Sequence, residues 1–261
     1  MQHSTGYIVG FAVAICLVCA LVVSGAAVSL KDRQERNILL DRQKKVLAVA
    51  GLIEDGQDPD AVEIERLFEK NIKPKVVTLD TGEIDPEIVP AEFDQQQAMT
   101  DPETSQAAPP NGAKVARVPN DGLVYDVVED GKLTAMIFPI QGKGLWSTLY
   151  GYIALAPDSN TIVGITFYKH GETPGLGGEV DNPGWKAKWP GRKAFDDRWQ
   201  PKIAVKKGIA GPSETDPYQV DGLSGATITS RGVTELVRFW LGENGFGPYL
   251  ANYRAQTGIQ G

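Results

Sequence analysis

The chain has 261 residues, 42% of them hydrophobic, with a formal net charge of −7 at pH 7. That length allows one substantial globular domain plus appendages, with a core of its own. The acidic balance, and the lack of any Lys/Arg cluster interleaved with aromatics in the polar part, exclude nucleic acid as a partner. From Tyr7 to Leu30 no charged residue occurs, a run long enough at helical rise to cross the hydrocarbon layer of a bilayer. Small residues at Ser24-Gly25-Ala26-Ala27 suit a signal peptidase. However, no Lys or Arg precedes the run, and it is longer than a usual signal core. The expectation is a retained single-pass anchor over residues 1–35, spanning the membrane at about 7–30. The two cysteines, Cys16 and Cys19, both lie inside it, so the polar part has no disulfide framework, and an i, i+3 pair alone lacks the ligands for a metal site.

Lys31, Arg33, Arg36, Arg42, Lys44 and Lys45 all follow the apolar run, so the positive-inside rule places the remainder of the chain in the cytoplasm. Val46, Leu47, Val49 and Leu52 predict a helical segment ending near Gly56. A second helix is predicted with Asp58 as cap, Pro59 in its first turn, Val62, Leu67 and Phe68 as apolar face and Pro74 as its stop; Lys75 to Leu79 then reads as a short strand. Residues 85–119 are rich in Pro, Gln and acidic side chains and predict an excursion with little regular structure. Residues 36–120 are thus a helical segment and a Pro/Gln-rich excursion packed on the domain that follows, residues 121–261.

Leu123–Val128 and Leu133–Ile140 read as strands joined by a tight turn at Asp130-Gly131. Leu145–Ala156 and Thr161–Lys169 form a second pair, and Pro201–Lys206 a further short strand. Sequential hairpins without crossover helices predict an antiparallel sheet in an α+β domain with flanking helices, not a Rossmann arrangement, and no Gly-x-Gly-x-x-Gly fingerprint follows any strand. Residues 170–179, His-Gly-Glu-Thr-Pro-Gly-Leu-Gly-Gly-Glu, form a loop dense in glycine, which lets backbone approach a flat ligand. Trp146 offers a stacking surface. Lys207, at a strand end, offers a cation to the edge of a reduced ring.

The richest segment is Asp221-Gly222-Leu223-Ser224-Gly225-Ala226-Thr227-Ile228-Thr229-Ser230. Beyond it Val233, Leu236, Val237, Trp240 and Leu241 recur at helical spacing, so a helix is predicted to begin just after Thr227, with Thr229 or Ser230 as cap. Helix N-termini hold phosphate through free backbone N–H groups and a partial positive charge, which Arg231 augments. Gly225 and Ala226 leave the Thr227 hydroxyl open to esterification by a nucleotide phosphate. A hydrolase is disfavoured, because the Gly-x-Ser-x-Gly elbow does not match and His170 is the single candidate base in this part.

Asp-Gly-Leu-Ser-Gly-Ala-Thr resembles the motif of FMN-binding domains in which the final threonine carries FMN through a phosphoester bond. The resemblance implies Thr227 as that residue, flanked by Ser224, Gly225 and Ala226, with Gly175 giving the ring backbone room, Thr173 hydrogen-bonding it and Leu176 packing on its face. The chain as a whole resembles the C subunit of the bacterial sodium-translocating NADH:quinone oxidoreductases. This implies an electron-relaying subunit, not catalytic alone and binding neither NADH nor quinone itself. It further implies membrane and soluble subunits as partners, a flavin transferase for maturation, and the bacterial inner membrane as location. The flavin domain would then face the periplasm, opposite to the charge rule. Two alternatives stand beside it: the G subunit of an Rnf-type electron-transport complex, which shares the motif, and a membrane-anchored binding or assembly module in which Ser-Gly-Ala-Thr only caps a helix.

Overall fold

The structure, a computed structural model, describes residues 4–53 and 57–259; Gly56, the expected end of the first helical segment, lies outside them. The chain divides after Arg42 into Met1–Arg42 and Gln43–Gly261. In the first unit, helix α1 (Thr5–Val49) carries the apolar run, and none of its most apolar window is buried. The anchor, the polar stretch and the segment after it are therefore one continuous helix. Its last residues belong to the second unit, where Val46, Leu47 and Val49 are buried.

Helix α2 (Ala61–Asn71) starts two residues later than expected. Its cap is Asp60, which accepts the Glu63 N–H at 2.8 Å, while Asp58 pairs with Lys44 at 2.7 Å. Ile64 is buried and Val62 is exposed, so the apolar face is rotated from the expected one. Pro74 does not stop this helix but sits inside strand β1 (Ile72–Thr78), opposite Tyr125. An edge strand tolerates the missing N–H. The excursion holds more regular structure than its composition suggests: α3 (Gln95–Thr100), capped by Asp94, and an antiparallel pair β2 (Ser105–Ala107) and β3 (Arg117–Pro119). Met99, Ala113, Val115 and Val118 enter the main core, so a few well-placed apolar residues fix a segment that is polar on average.

Strands β4 (Asp121–Glu129), β5 (Lys132–Lys143), β6 (Thr148–Leu155) and β7 (Ile162–Lys169) follow. They complete an antiparallel five-stranded sheet of order β1-β4-β5-β6-β7. The β4–β5 turn has Asp130 at φ 49 and Gly131 at φ 76, the pair of positive φ angles that matches the strand twist. The second hairpin is shorter than expected, because residues 145–147 leave the strand. Beyond a 3₁₀ turn (Gly177–Asp181) and the short α4 (Pro183–Lys186), the expected strand at 201–206 shrinks to β8 (Ala204–Val205), paired in parallel with β9 (Gln219–Val220).

Helices α5 (Thr227–Leu241) and α6 (Gly247–Thr257) end the chain. Val233, Leu236, Val237, Trp240 and Leu241 are 0–1% exposed, and Trp240 Nε1 donates to the Gln141 carbonyl on β5 at 2.7 Å. A Cβ on Gly232 would fall 2.3 Å from the Lys143 carbonyl oxygen; that glycine lets α5 lie directly on the end of β5.

Candidate functional site

Burying each large apolar side chain of α5 contributes about 2 kcal/mol, whereas a side-chain cap adds about 1 kcal/mol. Packing on β5 therefore forms this helix without a cap. Its first residue is Thr227, Ala226 precedes it, and no side chain caps the first turn. The two expected caps are employed elsewhere. Thr229, fully buried, donates its hydroxyl to Glu172 Oε2 at 2.6 Å. Ser230 Oγ accepts the Leu223 N–H at 3.0 Å. Both bonds pin the turn from the inside and leave the first amides of the helix to whatever lies in front of them.

In front lies a cleft of ≈ 580 Å³, within the range of small-molecule sites, roughly 300–1,000 Å³. Lys207, Ile209, Ser224, Gly225, Thr227 and Arg231 contribute to its lining. Thr227 and Ser224 are exposed, and Ala226 is buried beneath them. Gly225 sits at φ +69, and a Cβ there would meet Leu176 Cδ2 at 2.8 Å, so the left-handed turn and the touching loop both require glycine. Lys206 lies 3.7 Å from Asp216, and Lys207 is exposed beside it. Asp221, at the start of the segment, accepts from Lys188 and from the Ala210 N–H. Burial raises its carboxyl, but these bonds and the nearby cations hold it below the usual range.

The facing loop is organised by Glu172, 5% exposed. Its carboxylate accepts from the N–H groups of Leu145 (3.0 Å), Trp146 (2.9 Å) and Ser147 (3.0 Å), the Ser147 hydroxyl (3.2 Å) and the Thr229 hydroxyl. No cation among the described residues pairs with it. A buried unpaired carboxylate costs several kcal/mol, which five charge-assisted bonds of about 1.5–3 kcal/mol each offset. Burial pushes the carboxyl up, yet the Thr229 hydroxyl and the three amides outweigh it and hold Glu172 below the ordinary glutamate value. This explains why 145–147 are not strand: their amides bond the side chain. Beyond Glu172, the Thr173 carbonyl accepts from the Leu176 and Gly178 N–H groups, with Gly175 at φ +75 closing the turn. His170 lies 2.7 Å from Asp181 and accepts the Glu172 N–H on Nδ1 at 3.2 Å.

The nine candidate residues thus fall on segments that meet. Ser224, Gly225, Thr227 and Lys207 line one cleft with Ala226 beneath. Leu176 touches Gly225, Thr173 and Gly175 share its loop, and Trp146 hangs from Glu172. The sequence placed Glu172 only within the glycine-dense loop and offered Thr229 only as a cap; their joint role as the hinge of the site rests on partners 25–57 residues apart. A further feature was not expected. Among the described residues, eight large apolar side chains outside α1 are exposed, and five of them, Leu145, Trp146, Leu176, Ile209 and Ile228, lie on the segments that meet at this site.

The FMN-binding domain family matches residues 144–242, which span both segments of the site. The chain is 46% identical over 256 residues to the C subunit of the Na(+)-translocating NADH-quinone reductase of Pseudomonas aeruginosa, covering 97% of each chain. It is 47% identical over 245 residues to that of Yersinia pestis, covering 93% of this chain and 90% of the relative. Among solved structures it resembles Shewanella oneidensis NqrC with a TM-score of 0.76 at 40% identity, over 85% of this chain and 99% of that one. The C subunit of the Parabacteroides distasonis reductase matches with a TM-score of 0.65 at 29% identity, over 85% and 96%.

Proposed function

The chain belongs to the family of C subunits of the Na(+)-translocating NADH-quinone reductases, and we propose that its FMN is held as a phosphoester on Thr227. The observation that carries this reading is the exposed Thr227 hydroxyl at the uncapped start of a 15-residue helix, open to a cleft. A phosphodiester keeps one negative charge, which the free amides of the first turn and Arg231 stabilise. The exposed apolar side chains of Leu145, Trp146, Leu176, Ile209 and Ile228 suit a flat aromatic body, and Lys207 faces its charged edge. FMN, when bound, supplies reversible electron acceptance. The chain supplies position: Glu172 fixes the 145–147 and 170–179 segments against α5, so the loop carrying Thr173 and Leu176 keeps its distance from Thr227.

As a member of this family, the chain acts as one subunit of a multisubunit oxidoreductase that couples NADH oxidation and quinone reduction to sodium export. Helix α1 is its membrane anchor. We assign maturation to a flavin transferase and place the Gln43–Gly261 unit in the periplasm. Tethering suits that side of the membrane, because a dissociable FMN would be lost by dilution, and attachment replaces affinity with effective concentration. The basic residues 31–45 oppose this orientation. A C-terminal phosphatase fusion, active only outside the cytoplasm, tests it, and activity of a cytoplasmic reporter at the same position would reverse the assignment.

For the attachment, the chain made together with the transferase is expected to give a fluorescent band on a denaturing gel. Peptide mass spectrometry should then find FMN less one water on Thr227. Wild-type protein that carries no flavin under these conditions, or flavin on another residue, overturns the reading.

A further inference from the structure

The other end of α5 borders a second cleft, of ≈ 530 Å³, lined in part by Trp199, Arg238, Phe239, Pro248 and Arg254. Arg254 on α6 is 8% exposed. Its guanidinium makes no hydrogen bond or ion pair with any described residue, and Nη1 is buried without a partner. What it touches are ring faces, with Trp199 at 4.1 Å and Phe195 at 5.4 Å from the guanidinium carbon to the centroid. Trp199 takes up this position at φ 58, a conformation that bulky residues avoid. Burial pulls the Arg254 pKa down, and no neighbouring acid raises it again. Cation–π contact offsets part of the desolvation but satisfies none of the in-plane N–H donors, and a buried charge without a counter-ion is rare.

Two further features give this cleft a positive character. Among the described residues, Arg238 donates to the carbonyls of Ile203 (2.9 Å) and Lys202 (2.8 Å) alone, which leave its charge unneutralised. Helix α6 begins at Gly247 without a side-chain cap, and Gly247 and Pro248 face the cleft; the Gly247 N–H is taken by the Gly242 carbonyl at 2.9 Å and Pro248 has none, so what this end adds is the field of the helix dipole and no free amide. The single acid in the lining, Glu243, is exposed.

We propose that this cleft is an anion site, separate from the flavin site, that takes a carboxylate carried on an apolar body. The planar guanidinium fork matches a carboxylate in two-point contact, and walls of Trp199, Phe239 and Pro248 favour an apolar body over inorganic phosphate. Two sources present this chemistry: a free organic acid, and an acidic side chain or chain terminus of a neighbouring subunit.

The test titrates the full chain in detergent with benzoate against chloride at constant ionic strength, following the Trp199 indole N–H by NMR. A saturable shift is expected, and none with inorganic phosphate. Arg254→Met should abolish the shift. Arg254→Lys, which keeps the charge but not the fork, should weaken it about tenfold or more and keeps the test decisive where the Met variant fails to fold. In the assembled complex, loss of the benzoate response assigns the site to a neighbouring subunit's carboxylate, and persistence assigns it to a free acid. No saturable shift in the wild-type chain, an equal response to phosphate, or undiminished affinity in Arg254→Lys overturns the proposal.

Discussion

The two segments that meet at the start of α5, the 170–179 loop and the helix turn that lines the cleft, form two walls of the candidate site that use their polar groups in opposite ways. On the loop wall, Glu172 takes up five donors from Leu145, Trp146, Ser147 and Thr229, so the polar groups of that wall are turned inward. On the helix wall, Thr227 and Ser224 face outward and the first turn of α5 has no side-chain cap. Thr227 and Thr229 make the contrast within one turn of helix: the first is exposed, the second 0% exposed and bonded to Glu172. One wall is built to hold shape, and the other to receive a ligand.

The largest effect should fall on the open wall. Thr227→Ala is expected to abolish the fluorescent band completely while leaving thermal stability within about 0.5 kcal/mol of wild type, since it removes a surface hydroxyl and no core volume. Thr229→Ala and Ser224→Ala should retain the band. A flavin-bearing Thr227→Ala protein would sink the attachment site.

On the closed wall the order is reversed, with stability lost and attachment chemistry untouched. Glu172→Ala leaves five donors without their acceptor and should destabilise the domain by about 3–5 kcal/mol, in line with removing one partner of a buried charged network. Glu172→Gln keeps the volume and one acceptor oxygen and should cost less. Thr229→Ala removes one charge-assisted bond, about 1.5–3 kcal/mol, and Thr229→Ser should recover most of it. Denaturant midpoints of the four variants order these effects; equal midpoints for Glu172→Ala and wild type would mean that Glu172 does not hold the loop.

What the sequence revealed of this comparison follows the same division. The open wall was legible, because Ser224-Gly225-Ala226-Thr227 and the apolar period that follows are local signals. The closed wall was not. Glu172 reads as one more acid in a glycine-rich loop, and its burial depends on amides at 145–147 that a strand pattern conceals and on a hydroxyl 57 positions away. Thr229 and Ser230 look like caps because their residue type suits one; tertiary partners won. The sheet was legible from alternation and from Asp130-Gly131. The order in residues 95–119 was not, since its four buried anchors fall in a six-residue helix, an irregular stretch and a three-residue strand, each too short to show a period.

Acid should expose the closed wall as a titration. Glu172 is held below the ordinary glutamate value in the folded protein, so its carboxylate contributes stability that is fully present above the unfolded value of about 4.3. That contribution is lost as pH falls through the lower folded value. Wild type should therefore lose more stability than Glu172→Gln as pH falls below about 4.3, and the two curves should run parallel above it. Parallel curves throughout would show that the five donors do not favour the ionised form.

The smallest expected effect joins the walls. Leu176 is 44% exposed yet touches Gly225 on the neighbouring segment, so Leu176→Ala removes little buried area and should change stability by no more than about 0.5 kcal/mol. If the ring of a flavin on Thr227 packs between the walls, the same change replaces an apolar contact on the ring by water, and its absorbance and reduction potential should shift although the covalent band remains. Thr173→Ala, also exposed and on the same loop, should act in the same manner by removing a hydrogen-bonding hydroxyl near the ring edge. The informative pattern is an unchanged unfolding midpoint with altered flavin spectra. Spectra and potential identical to wild type in both variants would place the ring away from the 170–179 loop and leave the closed wall a purely structural support for α5.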